Sequence, residues 1–169
     1  MTICRDAHSE TSPTEVEPKS LHRKAVLVGS PNDGKSVIFH ALTGKYATVS
    51  NFPGTTVEIM EGKRRIGNLD WQIYDTPGVI GFPPRTDDER VTRDVILKLK
   101  PDVIVQVADA KNLSQTLSLT LGLLEFGRPM VLVLNMSDER MNAGIFIDTA
   151  RLTEILGIPV IETVAIAGQ

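Results

Sequence analysis

Eight consecutive residues near the start of the chain have the composition and spacing of a phosphate-binding loop. They follow the pattern Gly-x-x-x-x-Gly-Lys-Ser and are Gly29, Ser30, Pro31, Asn32, Asp33, Gly34, Lys35 and Ser36. Glycines let backbone amides turn towards phosphate oxygens, and the helix predicted to follow adds partial positive charge. Lys35 would reach the terminal phosphates of a nucleotide, and the Ser36 hydroxyl would ligate Mg²⁺. These residues predict phosphoryl-transfer chemistry.

A second group of residues suits the same chemistry and comes directly after a predicted strand. It consists of Asp75, Thr76, Pro77 and Gly78. The Asp75 carboxylate is expected to hold the Mg²⁺ shell, and the Gly78 amide to contact the terminal phosphate. An Asp-x-x-Gly turn by itself is a weak signal, and it gains weight because it follows the phosphate loop.

A third group, at the end of a later apolar strand, predicts which base is bound. It consists of Asn135, Met136, Ser137 and Asp138. A carboxylate at Asp138 accepts two hydrogen bonds from guanine, whereas adenine would leave it unpaired at a cost of about 1–3 kcal/mol. The alternative is that Asp138 caps a helix. The segment Thr163, Val164 and Ala165 is expected to contact the guanine through its backbone, because Val164 departs from the usual Ser-Ala pattern.

A loop between the first two groups contains Gly54, Thr55 and Thr56. A threonine here would ligate Mg²⁺ when the third phosphate of the nucleotide is present. Thr56 is the preferred candidate and Thr55 the alternative. Either residue also suits the start of a β-strand.

Strand-length apolar runs alternate with helical patterns from Lys24 onward, which predicts parallel strands joined by helices. Strands are predicted at 25–28, 57–64, 70–74, 103–107, 131–134 and 158–161, and helices at 35–42, 88–99, 114–126 and from a cap at Asp148 to 156. Residues 57–64 and 70–74 are expected to form an antiparallel hairpin around Gly67 and Asn68, and residues 44–54 a loop.

Composition narrows the class of protein. The 169 residues are 41 % hydrophobic and 23 % charged with a net charge of −3, which gives no reason to expect nucleic-acid binding. No apolar run is long enough to span a bilayer, and the single cysteine, Cys4, excludes an internal disulfide. Residues 1–23 are predicted to be a flexible polar tail and 24–169 one domain. A metal site at Cys4, His8 and His22 is not expected.

Together these residues resemble the GTPase domain of the ferrous-iron transport protein B family (FeoB). The most specific segments are 51–58 (NFPGTTVE), 101–105 (PDVIV), 109–113 (DAKNL) and 132–138 (LVLNMSD). Met136 stands where most GTPases have lysine, as is common in that family. The resemblance implies an α/β fold of the P-loop NTPase class: a Ras-like three-layer G domain with a mostly parallel six-stranded sheet.

The resemblance also implies a cytoplasmic domain that binds GTP and GDP, hydrolyses GTP slowly and regulates Fe²⁺ uptake. The implied partner is a transmembrane iron-permease portion, on the same or another chain, at the cytoplasmic face of the inner membrane. A homo-oligomer is compatible with this. No residue resembles an iron ligand, so transport itself is not expected to reside in this chain.

Val79 occupies the position where Ras-type enzymes have a glutamine that orients water. Backbone groups of residues 54–56 are therefore expected to hold the water, and Arg85 and Arg90 are expected to be solvated charges. GTPases resembling this one, with Pro31-Asn32 at these positions, bind K⁺ through the asparagine oxygen, so Asn32 is the expected K⁺ ligand. Asp33 replaces a small neutral residue and is expected to point outward. The predicted catalytic set is Asn32, Lys35, Thr56 and Gly78.

Two alternatives remain at this stage: a K⁺-dependent GTPase of RNA modification or ribosome assembly, and a nucleotide-binding interaction module with negligible turnover. The sequence also predicts one incompletely covered face. Only residues 166–169 follow the last predicted contact loop, too few for the helix that usually covers the sheet. An apolar strip along the first or last strand is therefore expected to be exposed.

Overall fold

A computed structural model describes residues 22–44, 47–53 and 55–165. Within these ranges the chain forms one sheet of seven strands, with helices packed against both faces. The strands are β1 (His22–Gly29), β2 (Ala47–Asn51), β3 (Glu58–Ile66), β4 (Leu69–Asp75), β5 (Val103–Asp109), β6 (Met130–Asn135) and β7 (Val160–Glu162). The helices are α1 (Lys35–Thr43), α2 (Asp87–Leu99), α3 (Leu113–Leu124), α4 (Ser137–Asn142) and α5 (Thr149–Leu156).

The strand order is β2-β3-β4-β1-β5-β6-β7. Strand β1 pairs in parallel with β4 and β5, and β6 continues the parallel pairing to β7. Strand β3 pairs antiparallel with both β2 and β4, so the predicted hairpin is confirmed. The turn places Gly67 at a φ of 61°, in the left-handed region that glycine tolerates without strain. The predicted α/β class with a mostly parallel sheet is confirmed.

The predicted count of six strands is wrong, because β2 forms within the segment predicted to be a loop. Four of the five residues of β2 are exposed, and its two apolar residues, Ala47 and Val49, are too few for a clear strand pattern. Backbone pairing with β3 holds it at the sheet edge, and Ala47 packs against the smaller apolar cluster. Helix α4, which has six residues, was also not predicted.

His22 and Arg23, which precede the predicted domain boundary at residue 24, belong to β1. Strand β1 already begins at His22, because its first residues pair with Asp70 and Trp71 of β4. Cys4, His8 and the rest of residues 1–21 lie outside the described residues. Among the described residues no group of three metal-binding side chains is found.

The core lies on both faces of the central strands. Val26 and Val28 of β1 pack in the larger apolar cluster beneath α2 and α3, whereas Ala25 and Leu27 pack in the smaller cluster beneath α1. Consecutive residues of a strand point to opposite faces, so a continuous apolar run in β1 serves both layers. The phosphate loop is thereby held between a buried strand and a packed helix.

The face that carries α1 is covered unevenly. Helix α1 covers β1, β3 and β4, whereas Val105 and Val131 of the neighbouring strands are only half-buried and Ile161 of β7 is 50 % exposed. Residues 166–169 lie outside the described residues, so the exposed apolar strip along the first or last strand stays a prediction. No helix among the described residues is long and apolar enough to cross a membrane.

Candidate functional site

The loop from Gly29 to Ser36 connects β1 to α1 at the carboxyl ends of the parallel strands. A Cβ atom at Gly29 would lie 2.3 Å from the Val107 carbonyl oxygen, so only glycine lets the loop leave the sheet here. Asn32 and Gly34 adopt positive φ angles of 71° and 83°, which curve the backbone. Gly34 is also the N-terminal cap of α1.

A cavity of about 480 Å³ joins the first three predicted groups of residues. It is lined by Ser30, Pro31, Asn32, Gly34, Lys35, Ser36, Val37, Gly78 and Met136. The phosphate loop, the Asp-x-x-Gly turn and the predicted guanine motif thus border one space, although they are far apart in sequence.

Lys35 and Ser36 both contact Asp75. The buried Lys35 ammonium donates to the Asp75 carboxylate and to the Thr76 carbonyl oxygen, and the Ser36 hydroxyl donates to the other Asp75 oxygen at 2.9 Å. Asp75 is only 4 % exposed, so Lys35 balances its charge away from water. A hydroxyl and a carboxylate side by side provide the hard oxygen ligands that Mg²⁺ takes, so these residues fit that ion.

The turn after Asp75 lies directly on the phosphate loop. The Val79 amide donates to the Gly29 carbonyl at 2.9 Å, and the Thr76 hydroxyl donates to the Leu27 carbonyl at 2.8 Å. A Cβ atom at Gly78 would meet the Pro31 ring at 2.8 Å, so this approach requires glycine. Val79 is 1 % exposed and belongs to the core, so its side chain faces away from the cavity.

Glu89 fixes the rest of the loop between β4 and α2, residues 76–86, which is the second loop of the site, and Glu89 was not identified from the sequence. Its buried carboxylate accepts hydrogen bonds from the amides of Arg85 at 2.6 Å, Thr86 at 3.0 Å and Ile80 at 3.4 Å. These hydrogen bonds lower the pKa of Glu89, and the bond from the Arg85 amide has the largest effect. Thr86 caps α2 through the Glu89 amide, so the pair forms a capping box. The Thr-x-x-Glu spacing could have revealed it.

Phe82, at the middle of the second loop, packs on α3. A Cβ atom at Gly122 would lie 2.7 Å from the Phe82 Cβ atom, and the Phe82 and Phe126 rings meet edge to face at 5.4 Å. The loop that carries Gly78 is therefore anchored both to α2 and to α3. Arg85 and Arg90 are exposed, and Arg90 pairs with Asp87.

The structure does not bring Thr56 to Ser36 and Asp75. Thr56 is exposed, has no hydrogen bond to the described residues, and lines a separate cavity of about 620 Å³ against Arg90 and Asp94 of α2. The Thr55 hydroxyl is engaged in the turn, where it donates to the Phe52 carbonyl at 2.9 Å. Gly54 lies outside the described residues. Of the two threonines, only Thr56 has a hydroxyl that makes no hydrogen bond to the described residues.

Asn135 links three of the predicted segments. Its side-chain nitrogen donates to the Asp33 carbonyl at 3.0 Å, and its side-chain oxygen accepts from the Ala165 amide at 3.0 Å. Ser137 continues this contact, because its amide donates to the Thr163 carbonyl at 3.3 Å. The loop of Thr163, Val164 and Ala165 is thus attached to the guanine motif.

Asp138 is exposed and makes no hydrogen bond to the described residues. The alternative role as a helix cap is wrong, because the cap of α4 is Met136 at a φ of 60°, and Asp138 lies one residue inside the helix. The Asp138 carboxylate is therefore available to a ligand.

Asp33 is expected to point outward, away from the phosphates, and its side chain does not line the cavity. Its side chain is half-buried and turns back on its own loop, where it accepts a hydrogen bond from the Ser30 amide at 3.0 Å. Burial, and to a smaller extent the nearby Asp109 carboxylate, raise the pKa of Asp33. A carboxylate suits position 33 because the Ser30 amide needs a hydrogen-bond acceptor there.

The model of one family, described as ferrous iron transport protein B, matches residues 23–169. The Fe(2+) transporter FeoB of Legionella pneumophila (strain Lens) is 40 % identical over 141 residues, which are 81 % of this chain and 19 % of that protein. The chain spans about a fifth of the length of the curated relatives it matches.

Two solved structures from T. maritima have the same fold. The G domain of its FeoB iron transporter is 36 % identical with a TM-score of 0.80, and the match covers 88 % of this chain and 91 % of that one. The cytosolic domain of that transporter in a GDP form is 37 % identical with a TM-score of 0.83, covering 88 % of this chain and 58 % of that one. The P-loop G-domain architecture is therefore confirmed.

Proposed function

The chain belongs to the ferrous iron transport protein B family, and from that premise we propose that it binds GTP and GDP, hydrolyses GTP slowly and regulates Fe²⁺ uptake. The observation that carries this proposal is the single cavity bordered by Lys35, Gly78 and Met136. It is bordered by residues from the segments predicted to bind the phosphates, the third phosphate and guanine. The relative from T. maritima in a GDP form supports a guanine nucleotide as the ligand.

The phosphates would lie against the amides of the loop that ends at Lys35. In the structure the Lys35 ammonium contacts Asp75 and Thr76, so nucleotide binding would redirect it towards the phosphate oxygens. Mg²⁺, held by Ser36 and Asp75, would neutralise charge on the phosphates when bound. Gly78 lies against Pro31 and would offer its amide to the terminal phosphate.

Slow turnover is proposed because the chain offers few groups that could orient the attacking water. Val79 lies in the core and Arg90 is paired with Asp87, so neither side chain points at the cavity. Backbone groups of residues 54–56 would hold the water. Asn32 borders the cavity, and its side-chain oxygen would bind K⁺, which adds positive charge near the phosphates.

Hydrolysis would also require a rearrangement of the first loop of the site, which joins β2 to β3 and carries Thr56. Thr56 lies in the cavity beside α2 and would have to move to reach the Mg²⁺ ligands Ser36 and Asp75. Only the exposed edge strand β2 precedes this loop, so its pairing with β3 can be broken at small cost in buried area. We infer that the order of this loop depends on the third phosphate.

In its biological setting the chain would act at the cytoplasmic face of the inner membrane, attached to or associated with a transmembrane iron permease. The relatives are several times longer than this chain and are Fe²⁺ transporters. The family match disfavours the alternative role in RNA modification or ribosome assembly. An interaction module with negligible turnover remains the second candidate, because Val79 is turned into the core.

Equilibrium binding of fluorescent GDP and GTP analogues, followed by single-turnover GTP hydrolysis, tests the proposal. We expect guanine-nucleotide binding that the Lys35→Ala variant loses, together with slow hydrolysis. Lys63→Ala, at an exposed position of β3 outside the cavity, is the control and should behave as the parent protein. Absence of nucleotide binding would contradict the proposal, and binding without turnover would favour the interaction module.

A further inference from the structure

The β3–β4 hairpin ends in a cluster of exposed positive charge. Lys63, Arg64 and Arg65 are consecutive and exposed, and none has an ion-pair partner among the described residues. Five other arginines of the described residues pair with acidic side chains, as Arg93 does with Asp94, whereas Arg85 and Arg128 have no such ion pair. The cluster therefore keeps its charge available for a partner outside the described fold.

These three side chains lie on both faces of β3 near the β3–β4 turn. Arg64 lies directly opposite Trp71 on β4, whereas Lys63 and Arg65 point to the other face. Together with His22 they line a cavity of about 440 Å³, in which Asp70 is the acidic residue. Arg23 of β1 lies beside Trp71 and extends the basic surface, although it pairs with Asp102.

An apolar side chain projects from the same end. Ile66, directly after the three basic residues, is 49 % exposed, and the turn at Gly67 and Asn68 is also exposed. A basic cluster beside an exposed apolar residue and a half-buried tryptophan has the two features that bind peripheral proteins to anionic bilayers.

The basic end is separated from the nucleotide cavity by the length of β1. That strand has eight residues and runs from His22 to Gly29, so the two sites are roughly 25 Å apart. A flat surface that contacts the hairpin would leave the cavity open. The net charge of the whole chain is −3, so this local excess of positive charge is not a general property of the surface.

We propose that this end of the sheet, formed by Lys63, Arg64, Arg65, Ile66 and Trp71, docks on an anionic phospholipid bilayer. The choice of a bilayer as the occupant rests on the proposed function, which places the chain beside a membrane. Each basic side chain near such a surface strengthens binding about fivefold, so the cluster contributes a factor of about one hundred. The contact orients the nucleotide cavity away from the membrane.

Co-sedimentation of the full chain with large vesicles tests this inference. Vesicles of phosphatidylcholine mixed with phosphatidylglycerol are compared with vesicles of phosphatidylcholine alone, at low and at high salt. We expect binding only to the anionic vesicles, weakened by salt, and a loss of about one hundredfold in the K63Q/R64Q/R65Q variant. The affinity of the I66S variant is compared with that of the parent protein at each salt concentration. The loss relative to the parent should be several-fold larger at high salt than at low salt.

The matched control is R90Q/R93Q/R151Q, which removes the same charge from helices α2 and α5. It should retain the binding of the parent protein to anionic vesicles, and binding of a fluorescent GDP analogue reports that each variant is folded. This readout is independent of vesicle binding, so a failed nucleotide function and a failed docking surface are distinguishable.

Equal loss of binding in the two triple variants would overturn the inference, because net charge alone would then explain the attraction. Binding to phosphatidylcholine vesicles as tight as to anionic vesicles would overturn it as well. So would tighter binding to a single-stranded oligonucleotide than to anionic vesicles at the same salt, which would assign the cluster to a nucleic acid.

Discussion

The side-chain nitrogen of Asn135 donates a hydrogen bond to the Asp33 carbonyl at 3.0 Å, and this bond joins the end of β6 to the phosphate loop. The same amide accepts from Ala165, so one side chain positions the predicted phosphate and base segments together. A Cβ atom at Gly34 would lie 2.2 Å from the Asn135 nitrogen, which shows how closely the loop approaches.

We expect Asn135→Ala to weaken guanine-nucleotide binding about tenfold or more. The substitution leaves the Asp33 carbonyl and the Ala165 amide without their partner, and each such bond contributes about 0.5–1.5 kcal/mol. Isothermal titration with GDP measures the effect. Asn142→Ala, at an exposed position at the end of α4, is the control. Equal affinities in the two variants would show that the link does not organise the site.

We expect Asp138→Asn to relax the preference for guanine, because an amide cannot accept both hydrogen bonds from the base. Asp138 is exposed and has no partner among the described residues, so the substitution should leave stability unchanged. Affinities for GTP, ATP and XTP measure the change. Glu139→Gln, the exposed neighbour on α4, serves as the control. Unaltered GTP affinity would remove Asp138 from the specificity site.

We expect K⁺ to accelerate GTP hydrolysis relative to Na⁺ at equal ionic strength. The Asn32→Gly variant should lose this response, and glycine keeps the positive φ of 71° that alanine would strain. Single-turnover rates in the two salts provide the measurement. Asn68→Ala, in the β3–β4 turn, should respond to K⁺ as the parent protein does. A variant at position 32 that keeps its K⁺ response would refute the role of Asn32.

We expect Val79→Gln to destabilise the protein without accelerating hydrolysis. Glutamine occupies this position in Ras-type enzymes, but here the side chain lies in the core and is 1 % exposed. Burial of an amide without partners costs about 1–3 kcal/mol. Urea unfolding and single-turnover hydrolysis, with Ile80→Gln at the neighbouring exposed position as control, separate the two effects. Faster hydrolysis in the Val79 variant would mean that this loop turns towards the nucleotide.

We expect Glu89→Gln to cost about 1–3 kcal/mol near neutral pH, because the variant loses the carboxylate that accepts three loop amides. Folding lowers the pKa of Glu89, so its contribution is present above about pH 4.3, the ordinary value, and is lost as the pH falls further.

The difference in unfolding free energy between parent and Glu89→Gln should therefore shrink below about pH 4.3. Urea denaturation across a pH series measures it. Glu154→Gln, which removes an exposed carboxylate from α5, should show little difference at any pH. A constant difference across the series would mean that the charge of Glu89 does not stabilise the second loop.

The sequence by itself determined the class of fold and the identity of most candidate site residues. The glycines, lysine and serine of residues 29–36 were recognisable because phosphate binding needs those residue types at fixed spacing. The hairpin around Gly67 and the cap at Asp148 were recognisable because turn and cap chemistry is local.

Only the tertiary structure decided which groups meet and which do not. The edge strand β2 has too few apolar residues for a clear strand pattern, and the direction of the Asp33 side chain depends on the Ser30 amide and on Asp109. The burial of Val79 and the hydrogen bonds from Glu89 to the second loop depend on how α2 and α3 pack. No local sequence pattern specifies that packing. Spacing along a chain constrains chemistry, whereas contacts between distant segments arise from packing of the whole core.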